Sequence, residues 1–333
     1  MGPTICWGRQ TLGWNYRTLL EVLRLLTDLR PGYNAKRPHG THGTTMFEGF
    51  KLETIPVTAG QLRVRHGGSG PPVLLLHGHP RTHVTWWKVA ERLADTFRVI
   101  CPDLPGFGQS YVPQDTPDHS GSSKRAKAAA CVELMGALGH TQFAVVGHDR
   151  GAYTAFRLAM DHPDSVTHLV VLDAVPILEA LERTGEQFAR KWWHWFFFAV
   201  PDKPERAILA DPDAWYGGEM EPMGQAAYED FRAATRNPSV VHGMLEDYRA
   251  GLGVDRQHDL ADRRAGRLIE CPMLCLWSRL DDLADLYDDV LAVWSPRATK
   301  VEGHSISSGH HMAEEAPEEL SKALARFLSQ IEI

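Results

Sequence analysis

The feature that most constrains this chain is a run of four apolar residues, Phe143-Ala144-Val145-Val146, that stops at Gly147-His148-Asp149-Arg150-Gly151 and passes straight into a helix-forming stretch. A short apolar run bounded by glycine reads as a strand buried on both faces of a sheet. Glycines flanking a central residue let the chain reverse sharply and lift that side chain clear of the backbone. The setting is the strand–turn–helix of a nucleophile elbow, G-x-S-x-G, with aspartate in the serine position. The bland alternative is an ordinary strand-to-helix turn in which Asp149 caps the helix.

Similar runs recur along the chain. Pro72 to His77 ends at Gly78, Phe97 to Cys101 at Pro102-Asp103, Val166 to Leu172 at Asp173, and Pro272 to Trp277 is a fifth. With helix-forming stretches between them, they predict an α/β fold with a mostly parallel sheet flanked by helices. Between Pro176 and about Leu268 the alternation stops, and the segment is rich in Trp, Phe, Glu and Arg with helical periodicity. The expected organisation is a core from 46–176 and 269–333 with a helical cap, 177–268, inserted after Asp173. Ligands of such sheets bind at the carboxyl ends of the strands, where a cap shuts out water. Residues 1–45 read as a dispensable extension from an upstream start: a short amphipathic helix carrying Leu19, Leu20, Leu23, Leu26 and Leu29, then a turn-rich linker before Met46.

Composition narrows the partners. Against 35 Lys and Arg stand 42 Asp and Glu, a formal net charge of -7, which argues against nucleic acid or an anionic membrane as the main partner. No stretch approaches the ~18 apolar residues of a membrane span, and the N-terminus lacks the apolar region of a secretory signal. Five cysteines form no paired framework and point to a reducing compartment, the cytoplasm. The expected partner is a small-molecule substrate, with a homodimer left open.

The exchange of serine for aspartate decides the chemistry. A serine that displaced a leaving group from saturated carbon would form an ether, which water cannot readily break. A carboxylate forms an ester, which water can open at its carbonyl. Opening it needs a base, and His310 stands between the last strand and the C-terminal helix, in the chain order nucleophile, acid, histidine. The neighbouring His311 is less well placed relative to that helix. Either Asp173 or Asp281, each following a strand, can orient the imidazole. Backbone N–H groups of His79 and Arg150 are expected to form an oxyanion hole. This chemistry needs no metal or organic cofactor.

The chain resembles the haloacetate (fluoroacetate) dehalogenases of the α/β-hydrolase superfamily, relatives of the epoxide hydrolases. The resemblance runs from about Phe47 to the C-terminus. It is carried by His77-Gly78-His79-Pro80 with Thr82-His83-Val84-Thr85-Trp86, Asp103-Leu104-Pro105-Gly106, Gly147-His148-Asp149-Arg150-Gly151, Leu172-Asp173 with Pro176, Trp193-His194-Trp195, Glu246-Asp247-Tyr248-Arg249-Ala250-Gly251, and Gly309-His310 with Glu314-Glu315-Ala316-Pro317. It implies that His194, Trp195 and Tyr248 cradle a departing halide and that Arg150 grips a substrate carboxylate. Without it, the aromatic stripe from Trp192 to Phe198 reads as core packing. Where the family has a second carboxylate-binding arginine, one helical turn after Arg150, this chain has Tyr153. Where the family has H-G-F-P, this chain has His79. A single arginine grips a carboxylate less firmly, so weak haloacetate turnover or a larger halogenated acid is expected, with some partial charge from His79. Two other readings stay open: an epoxide hydrolase drawing two cap tyrosines from Tyr216, Tyr228 and Tyr248, and a catalytically silent binding protein.

Overall fold

Each apolar run becomes a strand because period-two side chains must be covered on both faces of a central sheet. The structure, a computed structural model, describes residues 46–217 and 220–330. Its strands are β1 (Lys51–Val57), β2 (Gly60–Gly67), β3 (Pro72–Leu76), β4 (Arg98–Pro102), β5 (Phe143–His148), β6 (Val166–Leu172), β7 (Met273–Ser278) and β8 (Val301–Ile306). They form one sheet in the order β1-β2-β4-β3-β5-β6-β7-β8. Pairing is antiparallel at β1–β2 and β2–β4 and parallel from β4 to β8. The five runs predicted from sequence are β3 to β7. The strands that escaped a clear reading lie towards the edges, where one face stays wet and polar residues are tolerated: β8 reads Val-Glu-Gly-His-Ser-Ile and only Ile306 is fully buried.

Helices α1 (Trp87–Leu93) and α6 (Pro317–Leu328) cover one face of the sheet, α2 (Lys124–Ala137) and α3 (Arg150–Asp161) the other. Alternate residues of β3 divide accordingly, Val73 and Leu75 packing with Leu93 and Leu324, Leu74 and Leu76 with Leu134 and Phe156. A set of helices from Ile177 to Arg264 lies between β6 and β7, among them α4 (His194–Ala199) and α5 (Pro238–Ala250). The aromatic stripe there is only half core. Trp195 and Phe198 are each 3% exposed, whereas Trp193 is 49% and Phe196 38% exposed.

Register places the site. Leu76 pairs with Gly147, His148 with Leu172, and Leu172 with Leu276. The carboxyl ends of β3, β5, β6 and β7 are therefore level, and the residues that follow each strand emerge at one place. The expected N-terminal extension, 1–45, and Cys6 lie outside the described residues. The other four cysteines are free. Among the described residues no helix is long and apolar enough to cross a membrane.

Candidate active site

Asp149 follows β5 with φ 50° and ψ -118°, a left-handed backbone that a non-glycine residue adopts only under constraint. Such strain costs about 1–3 kcal/mol and persists where surrounding contacts enforce it. A Cβ on Gly147 would sit 2.2 Å from the Gly151 carbonyl oxygen, and one on Gly151 2.3 Å from that of Leu76, so both positions must be glycine. The Asp149 carboxylate makes no cap bond to α3. Its Oδ1 instead accepts the backbone N–H of His79 at 2.7 Å. The plain-turn alternative therefore fails: the side chain is held away from the helix, against the loop after β3. That closeness also requires Gly78, where a Cβ would lie 2.4 Å from Asp149 Oδ1. Gly78→Ala is expected to lower kcat about 100-fold, as an ångström of misplacement can, with little change in KM; steady-state kinetics beside a thermal melt checks this.

His310 lies in the loop after β8. Its Nδ1 is 2.7 Å from Asp173 Oδ2 and 3.3 Å from Asp281 Oδ2. Asp173 is the better fixed of the two acids. It is buried, and its Oδ1 accepts the Ser278 backbone N–H at 2.9 Å and hydroxyl at 2.8 Å. Asp281 is about a third exposed. Burial alone would lower the imidazole's pKa. The hydrogen bonds to Asp173 and Asp281, with attraction from Asp173 and Asp149, outweigh it and hold His310 well above the ordinary 6.5. Glu315 fixes the loop, accepting the Gly309 N–H at 2.7 Å and the His311 N–H at 3.0 Å. Sequence reasoning quoted Glu315 without seeing this role.

A cavity of about 290 Å³ is lined by Asp149 together with His194 and Trp195 of α4 and Tyr248 of α5. The indole N–H of Trp195, the Tyr248 hydroxyl and the His194 ring have no hydrogen-bond partner among the described residues. Burial, reinforced by Arg150, holds His194 down at about 4, so its ring is neutral and one nitrogen still donates. Burial, with Asp149 nearby, pushes the Tyr248 phenol up, so it also keeps its proton. Trp195 is stacked on Trp192 at 5.4 Å, and the Trp192 Nε1–H donates to Asp282 at 2.8 Å, tying this wall to the loop that carries Asp281.

Arg150 departs from the simple expectation. Its guanidinium is buried, donates from Nε to Asp247 Oδ2 at 2.5 Å and from Nη2 to the Asp247 carbonyl at 2.9 Å. It packs on the rings of Tyr248 (4.1 Å), Tyr153 (5.1 Å) and Trp195 (5.4 Å). Those three rings line the cavity and the guanidinium does not. Asp247 also takes Lys124 Nζ at 2.8 Å and Lys127, and Lys124 lies 3.5 Å from Asp255. Three cations thus face two carboxylates, a surplus of one positive charge, and Arg150 Nη1 is buried without a partner. This cluster was missed because its members are far apart in sequence; Asp247 beside Tyr248 was the only hint.

Two further expectations are corrected. The His79 ring contributes no charge: it lies 5.3 Å from each of Phe198, Tyr216 and Tyr248, neither nitrogen has a partner, and burial holds its pKa well below 6.5. Of the tyrosines weighed for epoxide opening, Tyr248 lines the cavity, whereas Tyr216 lines a neighbouring one and Tyr228 packs on Phe231. Tyr153, on α3, lines it instead.

A family model for the alpha/beta hydrolase fold matches residues 71–317. The chain belongs to the α/β-hydrolase family. This hydrolase is 39% identical over 293 residues to a fluoroacetate dehalogenase from Burkholderia sp, covering 85% of this chain and 95% of that relative. It is 29% identical over 306 residues to a soluble epoxide hydrolase from Corynebacterium sp. (strain C12), covering 87% and 98%. Among solved structures, a protein from Nostoc sp PCC 7120 described as an α/β hydrolase matches with a TM-score of 0.83 at 40% identity, covering 86% of this chain and 100% of that one. A Pseudomonas aeruginosa protein described as an epoxide hydrolase matches at 0.79 and 42% identity, covering 86% and 97%. The hydrolase therefore sits in the branch that holds the fluoroacetate dehalogenases and their epoxide hydrolase relatives.

Proposed function

We propose that this hydrolase cleaves the carbon–halogen bond of a small halogenated carboxylic acid through an ester on Asp149. The observation that carries this reading is the set of three neutral donors, His194, Trp195 and Tyr248, that line the same cavity as the Asp149 carboxylate. Asp149 Oδ2 attacks the halogen-bearing carbon from one side while the leaving halide gains hydrogen bonds on the other. Halides, fluoride above all, leave only when their developing charge is bound and kept from water. His310, oriented by Asp173 and supported by Asp281, then takes a proton from water attacking the ester carbonyl. The oxygen that becomes the oxyanion is the one His79 N–H already holds, and the Arg150 N–H, free at the start of α3, is the second donor. The surplus positive charge around Arg150 and its unpartnered Nη1 favour an anionic substrate, with Tyr153 adding one neutral donor.

The experiment is a halide-release screen across fluorinated, chlorinated and brominated carboxylic acids, with epoxides as controls. A second reading, epoxide hydrolysis, draws on Tyr153 and Tyr248, two phenols on one cavity; diol formation without halide release would select it. Tyr153→Arg is expected to lower KM for chloroacetate about tenfold by restoring a second charged contact; an unchanged KM counts against carboxylate capture here.

Ester hydrolysis needs neutral His310, whose pKa is raised, so this step should be lost as pH falls through a value above 6.5. Asp149 contributes to that rise only as a carboxylate, so alkylation by substrate eases His310 towards neutrality. Asp281→Asn removes another contribution and should shift the acid limb of the pH–rate profile downward; an upward shift or none counts against the pairing.

A further inference from the structure

Two histidines beside His310 have no part in the chemistry above. His148 precedes the nucleophile and is 4% exposed, with Nε2 buried and unpartnered. His311 follows His310, lines the cavity and leaves Nδ1 buried and unpartnered. The three rings are clustered, with centroids 4.6 Å apart for His148 and His310, 5.2 Å for His310 and His311, and 5.9 Å for His148 and His311. One nitrogen of each lies within 4.8 Å of the other two.

We propose that His148, His310 and His311 form a site for Zn²⁺ or a similar borderline metal ion, and that filling it blocks the hydrolase. Imidazole nitrogen is a good ligand for such ions, and three of them plus a water complete a tetrahedron. Zinc–nitrogen bonds of about 2.0–2.1 Å set ligand nitrogens roughly 3.4 Å apart, so the rings must close by about an ångström. The unpartnered nitrogens leave His148 and His311 little to break in doing so. His310 gives its Nδ1 to Asp173, leaving the lone pair of Nε2 for a metal, in the carboxylate–histidine–metal arrangement that orients and strengthens such ligands. Asp149, Asp173 and Asp281 supply the negative charge that offsets the ion.

A rival set, Asp173, Asp281 and His310, shares one residue. The imidazole set is favoured because Asp173 and His310 Nδ1 are already committed to each other and to Ser278. Binding requires nothing of the proposed chemistry. Inhibition does rest on it, since the metal takes the lone pair that would accept the water proton.

Calorimetric titration of the whole chain with ZnCl₂ should show one ion per chain. His311→Gln, which keeps a polar side chain without the ring, and His311→Ala should each weaken binding at least about tenfold, while Asp281→Asn, which removes nearby charge but no ligand, should weaken it by clearly less. Absence of saturable one-to-one binding, wild-type affinity in both His311 variants, or loss of binding in Asp281→Asn overturns the site. Turnover by the wild type should fall with Zn²⁺ and return with a chelator. Stoichiometric binding without inhibition leaves the metal site standing and overturns His310 as the base.

Discussion

His310→Ala is expected to halt the reaction half-way, releasing one halide per active site and leaving the substrate's carbon skeleton attached to Asp149. The displacement step uses the carboxylate and the donors lining the cavity, and it needs no base. The second step loses its base, and removal of one member of such a unit typically lowers turnover by on the order of 10⁴-fold or more. Intact-mass spectrometry should find the adduct and peptide mapping should place it on residue 149. Asp149→Ala should show neither adduct nor halide burst. An adduct in the first variant also excludes a silent binding protein. Continued turnover by Asp149→Ala, or a burst with no covalent adduct, would remove the ester route.

The two halves of the site differ in how legible they were. Asp149, His310 and the His79 N–H follow buried strands or precede a helix, and strand ends in a parallel sheet are set by short apolar runs any reader can see. The choice between Asp173 and Asp281 was not legible, because both leave neighbouring strands at one level and the preference turns on Ser278, which fixes Asp173 from the end of β7. The cavity wall from α4 and α5 needed family resemblance, since Trp195 and Phe198 are buried while Trp193 and Phe196 are exposed, a division that composition alone does not give. The charge on His79 was misread from residue type: three aromatic neighbours desolvate the ring and leave it neutral. The setting of Arg150 was least visible, because it depends on Lys124, Lys127 and Asp247 meeting across more than 100 residues of chain.

That meeting predicts a large effect on stability. Asp247 is 1% exposed and is pushed well below the ordinary carboxylate pKa, burial being outweighed by Arg150, Lys124 and Lys127. Asp247→Ala would leave three buried cations with only Asp255, beside Lys124, to balance them, and breaking a buried ion pair from one side costs about 3–5 kcal/mol. For a domain of this size that corresponds to roughly 10 °C in Tm. Lys127, already held down at about 8 by burial, is the group best able to shed its charge. Lys127→Met should therefore recover part of the loss when combined with Asp247→Ala, a non-additive outcome expected of residues in one network. Glu182→Ala serves as the contrast: its pair with Arg263 is 39% exposed on both sides, and such surface bridges contribute about 1 kcal/mol or less. Differential scanning calorimetry separates the cases. If Asp247→Ala melts within 2–3 °C of the wild type, about what 1 kcal/mol produces, the cluster does not hold α5 to α2 and α3, and the immobilisation of Arg150 behind the cavity needs another cause.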